Sequence, residues 1–397
     1  MSYPLVCLGQ LAKFINGDRG KNYPSKDSFV DAGIPFINAG CLSDQWLLDS
    51  SKFNYISEEA YDRLSSGKIQ KNDILFCLRG SVGKFAVIRD DNKGALASSL
   101  VILRVNGKVD IEYLKHYLAS SLCTKELDNY QNGAAQPNLS ANDFKKFLVP
   151  LPPLAEQRRI ASILDQADEL RQKRQQAIEK LDQLLQATFI DMFGDPVSNP
   201  KGWEIFKSKA LFQDPPRIGT TTPANGEGIP VVRVGELGQF YIDFEKCGRV
   251  QISESDFKKY ELKNGDLVLA RAIGSKNQLG KCSYFSEYFE PVCIDSHVMR
   301  LRPDSEKMHP LWFYFLLSSD QGKKILQSKG GATAVQFNIN SAQANDLNIA
   351  LPPLSEQAKF VEIANKILKN KDSHIKSLEK NNLLFSSLQN QAFNGTL

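Results

Sequence analysis

The chain has 397 residues, 42% apolar and 24% charged, and a formal net charge of +4. That length suggests two or three domains, and the composition is that of an ordinary globular protein rather than a disordered or fibrous one. No apolar run reaches the roughly 20 residues that span a bilayer, Met1-Ser2-Tyr3-Pro4 does not open a signal peptide, and the scattered cysteines lack the CxxC spacing of a zinc knuckle or the even number of a disulfide frame, so a cytoplasmic setting is expected.

Residues 1–150 read as one mixed α+β domain. Short β-branched runs bounded by Gly, Asp and Asn predict strands with turns, and one helix is predicted over residues 111–122. Two loops carry recognition chemistry. The first, residues 16–23, holds Arg19, Lys21 and Tyr23 on a glycine-containing backbone. The second, Arg79-Gly80-Ser81-Val82-Gly83-Lys84, follows a strand. Glycine lets a phosphate approach the backbone, and arginine can grip guanine O6 and N7 with two bonds. The same compositions also suit solvated turns. Gln136 and Asn138 have amides suited to adenine, or to a backbone role.

Residues 151–198 read as a long helix. Leu151-Pro152-Pro153-Leu154-Ala155-Glu156-Gln157 opens it, and no Gly or Pro occurs from Glu156 to Met192. Apolar residues such as Ile160, Ile163, Leu164, Ala167, Ile178, Leu185 and Phe189 recur at steps of three and four, the signature of a packing stripe. At 1.5 Å per residue the helix is roughly 55 Å long. Phe193-Gly194-Asp195-Pro196 stops it. Arg158, Arg159, Arg171, Lys173 and Arg174 form a charged surface, either solvated or available to a partner.

The rest of the chain repeats the first half. Residues 199–350 answer the first domain, and residues 351–397 answer the helix, opening on Leu351-Pro352-Pro353-Leu354-Ser355-Glu356-Gln357. Ile34-Pro35 pairs with Ile229-Pro230, Asp73 with Asp266, Arg79 with Arg271, and Gly83-Lys84 with Gly280-Lys281. Ser98 pairs with Ser296, the run Tyr117 to Ser121 with Phe315 to Ser319, and Gln136-Pro137-Asn138 with Gln336-Phe337-Asn338. A helix is predicted over residues 311–326. Candidate contacts in this copy are Arg217, Thr220, Thr221, Arg271, Ser275, Lys276 and Lys281. His297 reads as a packed polar residue, and no metal site is expected. The two large segments carry a net +2 each, which suits nucleic acid without demanding it.

Three catalytic signals fail. Asp214-Pro215-Pro216-Arg217 lacks the aromatic that a base-flipping adenine methyltransferase places fourth, and no Gly-rich cofactor loop accompanies it. Residues 274–282 are one residue too long for a phosphate loop, with Cys282 where Ser or Thr is needed. No nucleophile and base pair has local support. Catalytic and cofactor-binding residues are therefore expected to be absent.

The second helix is expected from Glu356 to about Phe393, with Lys371 and Asn382 interrupting its apolar seam as polar residues that can set register. Two such helices should pair. Either direction is open from the stripes alone, and the duplication favours antiparallel, with one domain at each end of a rod.

The doubled LPPL-x-EQ helix starts, the Phe193-Gly194-Asp195-Pro196 stop, the following Asn199-Pro200-Lys201-Gly202-Trp203 and the Arg79 to Lys84 segment resemble the specificity subunit of type I restriction–modification systems, over nearly the whole chain. The resemblance implies an α+β protein with two target-recognition domains, residues 1–150 and 199–350, joined by two long antiparallel coiled-coil helices with a pseudo-twofold internal repeat. It implies that each domain reads one half of a bipartite, asymmetric site in double-stranded DNA. The helices would set the spacer, a turn inserted in one (about 5.4 Å) adding one or two base pairs. They would also dock two methyltransferase subunits, with a motor–nuclease restriction subunit joining for cleavage. S-adenosylmethionine, ATP and Mg would then belong to the partner subunits. The competing readings are a protein-binding coiled-coil scaffold and a self-contained DNA methyltransferase or nuclease.

Overall fold

The structure, a computed structural model, describes residues 3–20, 22–130, 138–273, 280–329, 331–332 and 337–397. It divides into two units, Met1–Gln175 with Lys376–Leu397, and Gln176–Ile375. The division falls inside both long helices, Leu154–Phe193 and Leu354–Asn394.

In the first unit a four-stranded antiparallel sheet runs in the order Ala12–Asn16, Leu100–Val105, Asp73–Cys77, Phe85–Val87. Every residue of Asp73–Cys77 is buried, because both faces of the sheet are covered. Side chains alternate across it. Ile74, Phe76, Val101 and Leu103 enter a core with Tyr113, Ile160, Leu164, Phe385 and Phe393, so this face holds the long helices. Leu75, Cys77, Leu100 and Ile102 face Ile37, Leu42 and Leu96, which lie on or beside a smaller sheet of Asn54–Ile56, Ile34–Ile37 and Ala95–Leu96. Ile160 and Leu164 are wholly buried, each contributing about 1.5–3 kcal/mol from area removed from water.

The second unit has the same plan. Its larger sheet runs Phe212–Ile218, Val298–Pro303, Leu267–Ala270, Cys282–Tyr284, and its smaller one Gly248–Val250, Ile229–Val232, Cys293–Ile294. Leu267, Leu269, Met299 and Leu301 face Trp312, Phe313, Phe360 and Ala364. Val268, Ala270 and Val298 face Val232, Ile242 and Ile294. The long helices run antiparallel within each unit. Arg159 reaches the carbonyl of Leu397 while Arg171 reaches Asn382, and Lys371 pairs with Asp182 while Phe360 packs against Phe193. Both polar seam positions, Lys371 and Asn382, are thus bonded to the opposite helix.

The repeated residues explain themselves as frame. The buried Gln157 amide donates to Pro152 O (2.8 Å) and accepts from Asp110 N (2.8 Å). Gln357 does the same with Pro352 O and His309 N, both at 2.8 Å. Asp110 and His309 are the N-caps of helices Ile111–Leu118 and Pro310–Ser318, so each glutamine ties the Pro-Pro turn to a domain helix. Asp73 takes two bonds from Arg104 (2.8 and 2.7 Å), and Asp266 takes two from Arg302 (2.7 and 2.8 Å). At the end of the first long helix, Gly194 (φ +79°) supplies the left-handed residue that ends helices. Trp203 Nε1 caps Phe193 O at 2.9 Å, and Asn199 bonds the Trp203 backbone at both ends.

Two expectations are corrected. The single helix expected over 111–122 is two, Ile111–Leu118 and Ser121–Tyr130, and that over 311–326 is Pro310–Ser318 and Asp320–Lys329. The cause is a serine hydroxyl that caps a new helix. Ser120 Oγ accepts from Cys123 N (3.4 Å) and Ser319 Oγ from Gly322 N (2.9 Å). Ser120 therefore corresponds to Ser319, one residue away from the pairing that sequence suggested.

Candidate nucleic-acid interface

At one end of each larger sheet, four segments distant in sequence meet. In the first unit Gly17 lies so close to Leu96 O that a β-carbon would stand 2.7 Å from it. Beyond it, the buried Asp18 carboxylate accepts from Gly20 N (2.9 Å), Ser65 N (2.9 Å) and Ser65 Oγ (2.8 Å). Those bonds from the Gly20 and Ser65 backbone and the Ser65 hydroxyl hold its pKa at about 2. The loop so anchored presents Arg19, exposed, with Nη2 3.3 Å from Ser98 O. Tyr23 packs edge-on to Phe36 (5.6 Å), with its hydroxyl 3.5 Å from Ser98 N. Leu78 N donates to Ser99 O (2.9 Å), Leu139 N donates to Leu78 O (2.9 Å), and the exposed Arg79 bridges to Asn138.

The second unit builds the same cluster. A β-carbon on Gly219 would stand 2.0 Å from Ile294 O. Thr220 follows, buried, its hydroxyl tied to Thr222, and Thr221 is exposed. Ser296 N donates to Thr220 O (2.8 Å), Arg271 N to His297 O (3.1 Å) and Ile339 N to Arg271 O (2.9 Å). These backbone bonds make Arg271 the counterpart of Leu78 and Ala272 the counterpart of Arg79. The sequence pairing of Arg79 with Arg271 is thus displaced by one residue, and the two side chains do different things. Arg79 faces solvent. Arg271 is half-buried, donates to Ser296 O (2.8 Å) and Ile339 O (3.3 Å), and has its pKa pushed down by burial.

The remaining candidates lie elsewhere. Ser81 is exposed in the hairpin that joins Asp73–Cys77 to Phe85–Val87. Lys84 pairs with Asp44 (2.8 Å) and lines a cavity of the first unit with Arg171 and Phe385. Lys281 lines a cavity of the second unit with Asp182 and Lys371. The repeated Gly-Lys pairs therefore face the long helices rather than the loop cluster. Arg217 is exposed on the strand Phe212–Ile218, opposite the buried Arg300. Asp214, of the discounted Asp-Pro-Pro-Arg motif, serves the frame, accepting from Arg302 at 2.7 Å. Lys21, Gln136, Ser275, Lys276 and Gln336 lie outside the described residues.

On the first long helix Arg158 stands 3.7 Å from Asp110, and Arg159 makes two bonds to Glu156 (2.8 and 2.7 Å). Both remain exposed. Arg171 turns inward, bonding Asp168 (2.9 Å) and Asn382 (2.8 Å) and lying 4.4 Å over the Phe385 ring. Arg174 is half-buried.

Sequence reasoning passed over Asp295 and treated His297 as packed. The side chain of His297 is 60% exposed, and Asp295, 17% exposed, accepts from its backbone N (2.8 Å) while contacting Nδ1 at 2.6 Å. The available signal was the shared serine, Ser98 and Ser296, followed by an unshared residue. Among the described residues no group of His, Cys, Asp or Glu is placed to hold a metal ion, and no helix is long and apolar enough to cross a membrane.

Two copies of one α+β frame, each braced by long helices and each offering a cluster of unlike loops, define a duplicated recognition protein. The chain belongs to the type I restriction modification DNA specificity domain family, whose profile matches residues 3–180 and 200–383. It is 26% identical to the type I restriction enzyme StySPI specificity subunit of Salmonella potsdam, over 96% of this chain and 86% of that one. It is 28% identical to the MjaVIII specificity subunit of Methanocaldococcus jannaschii, over 91% of this chain and 84% of that one. Among solved structures, the type I restriction–modification S subunit of M. genitalium shares the fold at a TM-score of 0.56, with 15% identity over 98% of this chain and 96% of that one.

Proposed function

We propose that this chain is the DNA specificity subunit of a type I restriction–modification complex, reading a bipartite and asymmetric target in double-stranded DNA. The observation that carries this is the contrast inside the loop clusters. Both units position three of the segments by the same backbone bonds and bring the fourth in by the close approach of Gly17 or Gly219, yet Arg19, Leu78, Arg79 and Ser99 stand where Thr221, Arg271, Ala272 and His297 stand in the other copy. One frame carrying two sets of side chains suits two half-sites of different sequence, with phosphate contacts supplying affinity and base edges supplying choice. Arg19, Lys21, Tyr23, Arg79 and Ser81 contact DNA in the first domain, and Arg217, Thr221, Ser275 and Lys276 in the second. Thr220 and Arg271 hold the second cluster in shape. Lys84 and Lys281 stand beside the helices as a second tier of cations.

The chain itself is without catalytic activity. The long helices set the number of unread base pairs and dock two methyltransferase subunits, with Arg158, Arg159 and Arg174 on the docking surface. Restriction subunits join for cleavage, and S-adenosylmethionine, ATP and Mg are used by the partners, in the cytoplasm. The test is methylome sequencing of cells that make this chain with and without its methyltransferase subunit. A bipartite modified motif that needs both is expected, and exchange of residues 1–150 should alter one half-site only. A folded complex that directs no motif would favour a protein-binding scaffold.

A further inference from the structure

Building on the DNA-specificity reading, we propose that His297 is a specificity-determining residue of the second domain, its imidazole held by Asp295 to receive the exocyclic amine of an adenine or cytosine. A residue that tells one half-site from another should sit on backbone common to both domains and differ in its side chain. His297 meets that condition. Its carbonyl accepts from Arg271 N (3.1 Å) as Ser99 O accepts from Leu78 N (2.9 Å), so the two residues share one place in the frame. One carries a hydroxymethyl group, the other an imidazole.

The surroundings fix that imidazole without covering it. Asp295 Oδ1 takes the His297 backbone N–H at 2.8 Å and lies 2.6 Å from Nδ1. The turn beneath is held on both sides, by Ser296 N to Thr220 O (2.8 Å) and by Arg271 Nη1 to Ser296 O (2.8 Å). With Nδ1–H donated to the carboxylate, Nε2 is the ring nitrogen left to meet a ligand, and in that tautomer it accepts. In the major groove the matching donors are adenine N6 and cytosine N4, whereas guanine and thymine present only acceptors or a methyl group at those positions. Arg271, which sequence offered as a base reader, becomes the residue that positions the turn, its guanidinium on the carbonyls of Ser296 and Ile339.

The test uses the full chain in complex with its methyltransferase subunit and reads the modified motif across a genome or a randomised duplex pool. In His297→Ala, and in His297→Ser, which copies the first domain, one base position of the second half-site should lose its preference for adenine or cytosine by roughly tenfold. The first half-site and the spacer should be unchanged. Asp295→Asn should relax the same position, because the ring loses its orientation. An unchanged second half-site, or a loss of methylation uniform across all sequences, would overturn the assignment. If the wild-type complex directs no motif, the specificity reading itself fails and His297 falls with it.

Discussion

The two units fasten their domains to the long helices by different chemistry. In the first, Lys115 Nζ donates to Asp165 at 2.6 Å, and His116 Nε2 lies 2.8 Å from the same oxygen, with the Trp46 ring against the Lys115 ammonium and edge-on to the His116 imidazole. In the second, Tyr314 and Phe315 occupy the corresponding helix positions, counted from the Ser120 and Ser319 caps. Phe315 packs edge-on to Phe360 at 5.2 Å, while Phe193 meets Trp312 at 5.9 Å. The first joint thus adds ion pairs to the packing of Tyr113 and Tyr117 on Phe393 (5.4 and 5.9 Å), where the second has aromatic contacts at the corresponding positions. Among the residues shared by both copies, the glutamine staple, the Asp–Arg pair and the capping serine keep the same bonds in each.

The largest effect should come from the buried ion pair. Asp266→Ala takes two bonds from Arg302, whose side chain is 9% exposed and keeps Asp214 (2.7 Å) as a carboxylate partner, whereas Asp73→Ala takes two from Arg104, which is 30% exposed. Removing one partner of a buried pair costs about 3–5 kcal/mol, and the first unit should lose less because water reaches Arg104. Hydrogen exchange resolved to each sheet would check this. Equal losses, or a larger one in the first unit, would break the contrast.

Next come the staples. Gln157→Ala and Gln357→Ala each leave a buried carbonyl and a helix-cap N–H without their partner, at about 2–3 kcal/mol. The two should nearly match in urea denaturation, since both copies share the two short bonds and Gln157 adds only a long one to Lys108 O (3.4 Å). A clear inequality would show that the motif is retained for different reasons in the two halves.

Acid should separate the joints. Burial alone would raise Asp165, but its bonds from His116 and Lys115 hold it at about 2. A carboxylate held below the ordinary value near 4 contributes stability above that value and loses it as the pH falls toward 2. The first joint should loosen in that window and the aromatic one should not. Asp165→Asn should remove the difference, as read by hydrogen exchange in Ile111–Leu118 against Pro310–Ser318.

The smallest change in stability is expected from the helix surface. Arg158→Ala with Arg159→Ala should leave the denaturation midpoint almost where it was, because exposed ion pairs contribute little, while weakening co-purification of the methyltransferase subunit. Undiminished assembly would remove those arginines from the docking surface.

Much of the frame was legible because duplication writes it twice. The LPPL-x-EQ starts and the glycine stop at Gly194 follow from spacing and residue type. The long helices begin two residues before the expected Glu156 and Glu356. The site was less legible. Arg79 and Arg271 look equivalent in an alignment because both follow a shared strand, and only the backbone ladder shows the shift of one residue. His297 looked like a lone packed histidine because its partner, Asp295, matters only once the turn is folded. Lys84 and Lys281 looked like loop cations, yet the fold turns them toward the helices.

Sequence alone determined that there are two copies of one α+β domain, that a long amphipathic helix follows each, and which residue types recur. Periodicity, caps and repeats are local properties and survive in a linear string. The direction of helix pairing within each unit, the choice of which arginine is buried and which is free, and the meeting of residues 17–23, 78–79, 97–99 and 138–139 at one sheet end were decided by tertiary structure. Those outcomes depend on which distant backbone groups must satisfy one another once water is excluded, and no pattern along the chain encodes that by itself.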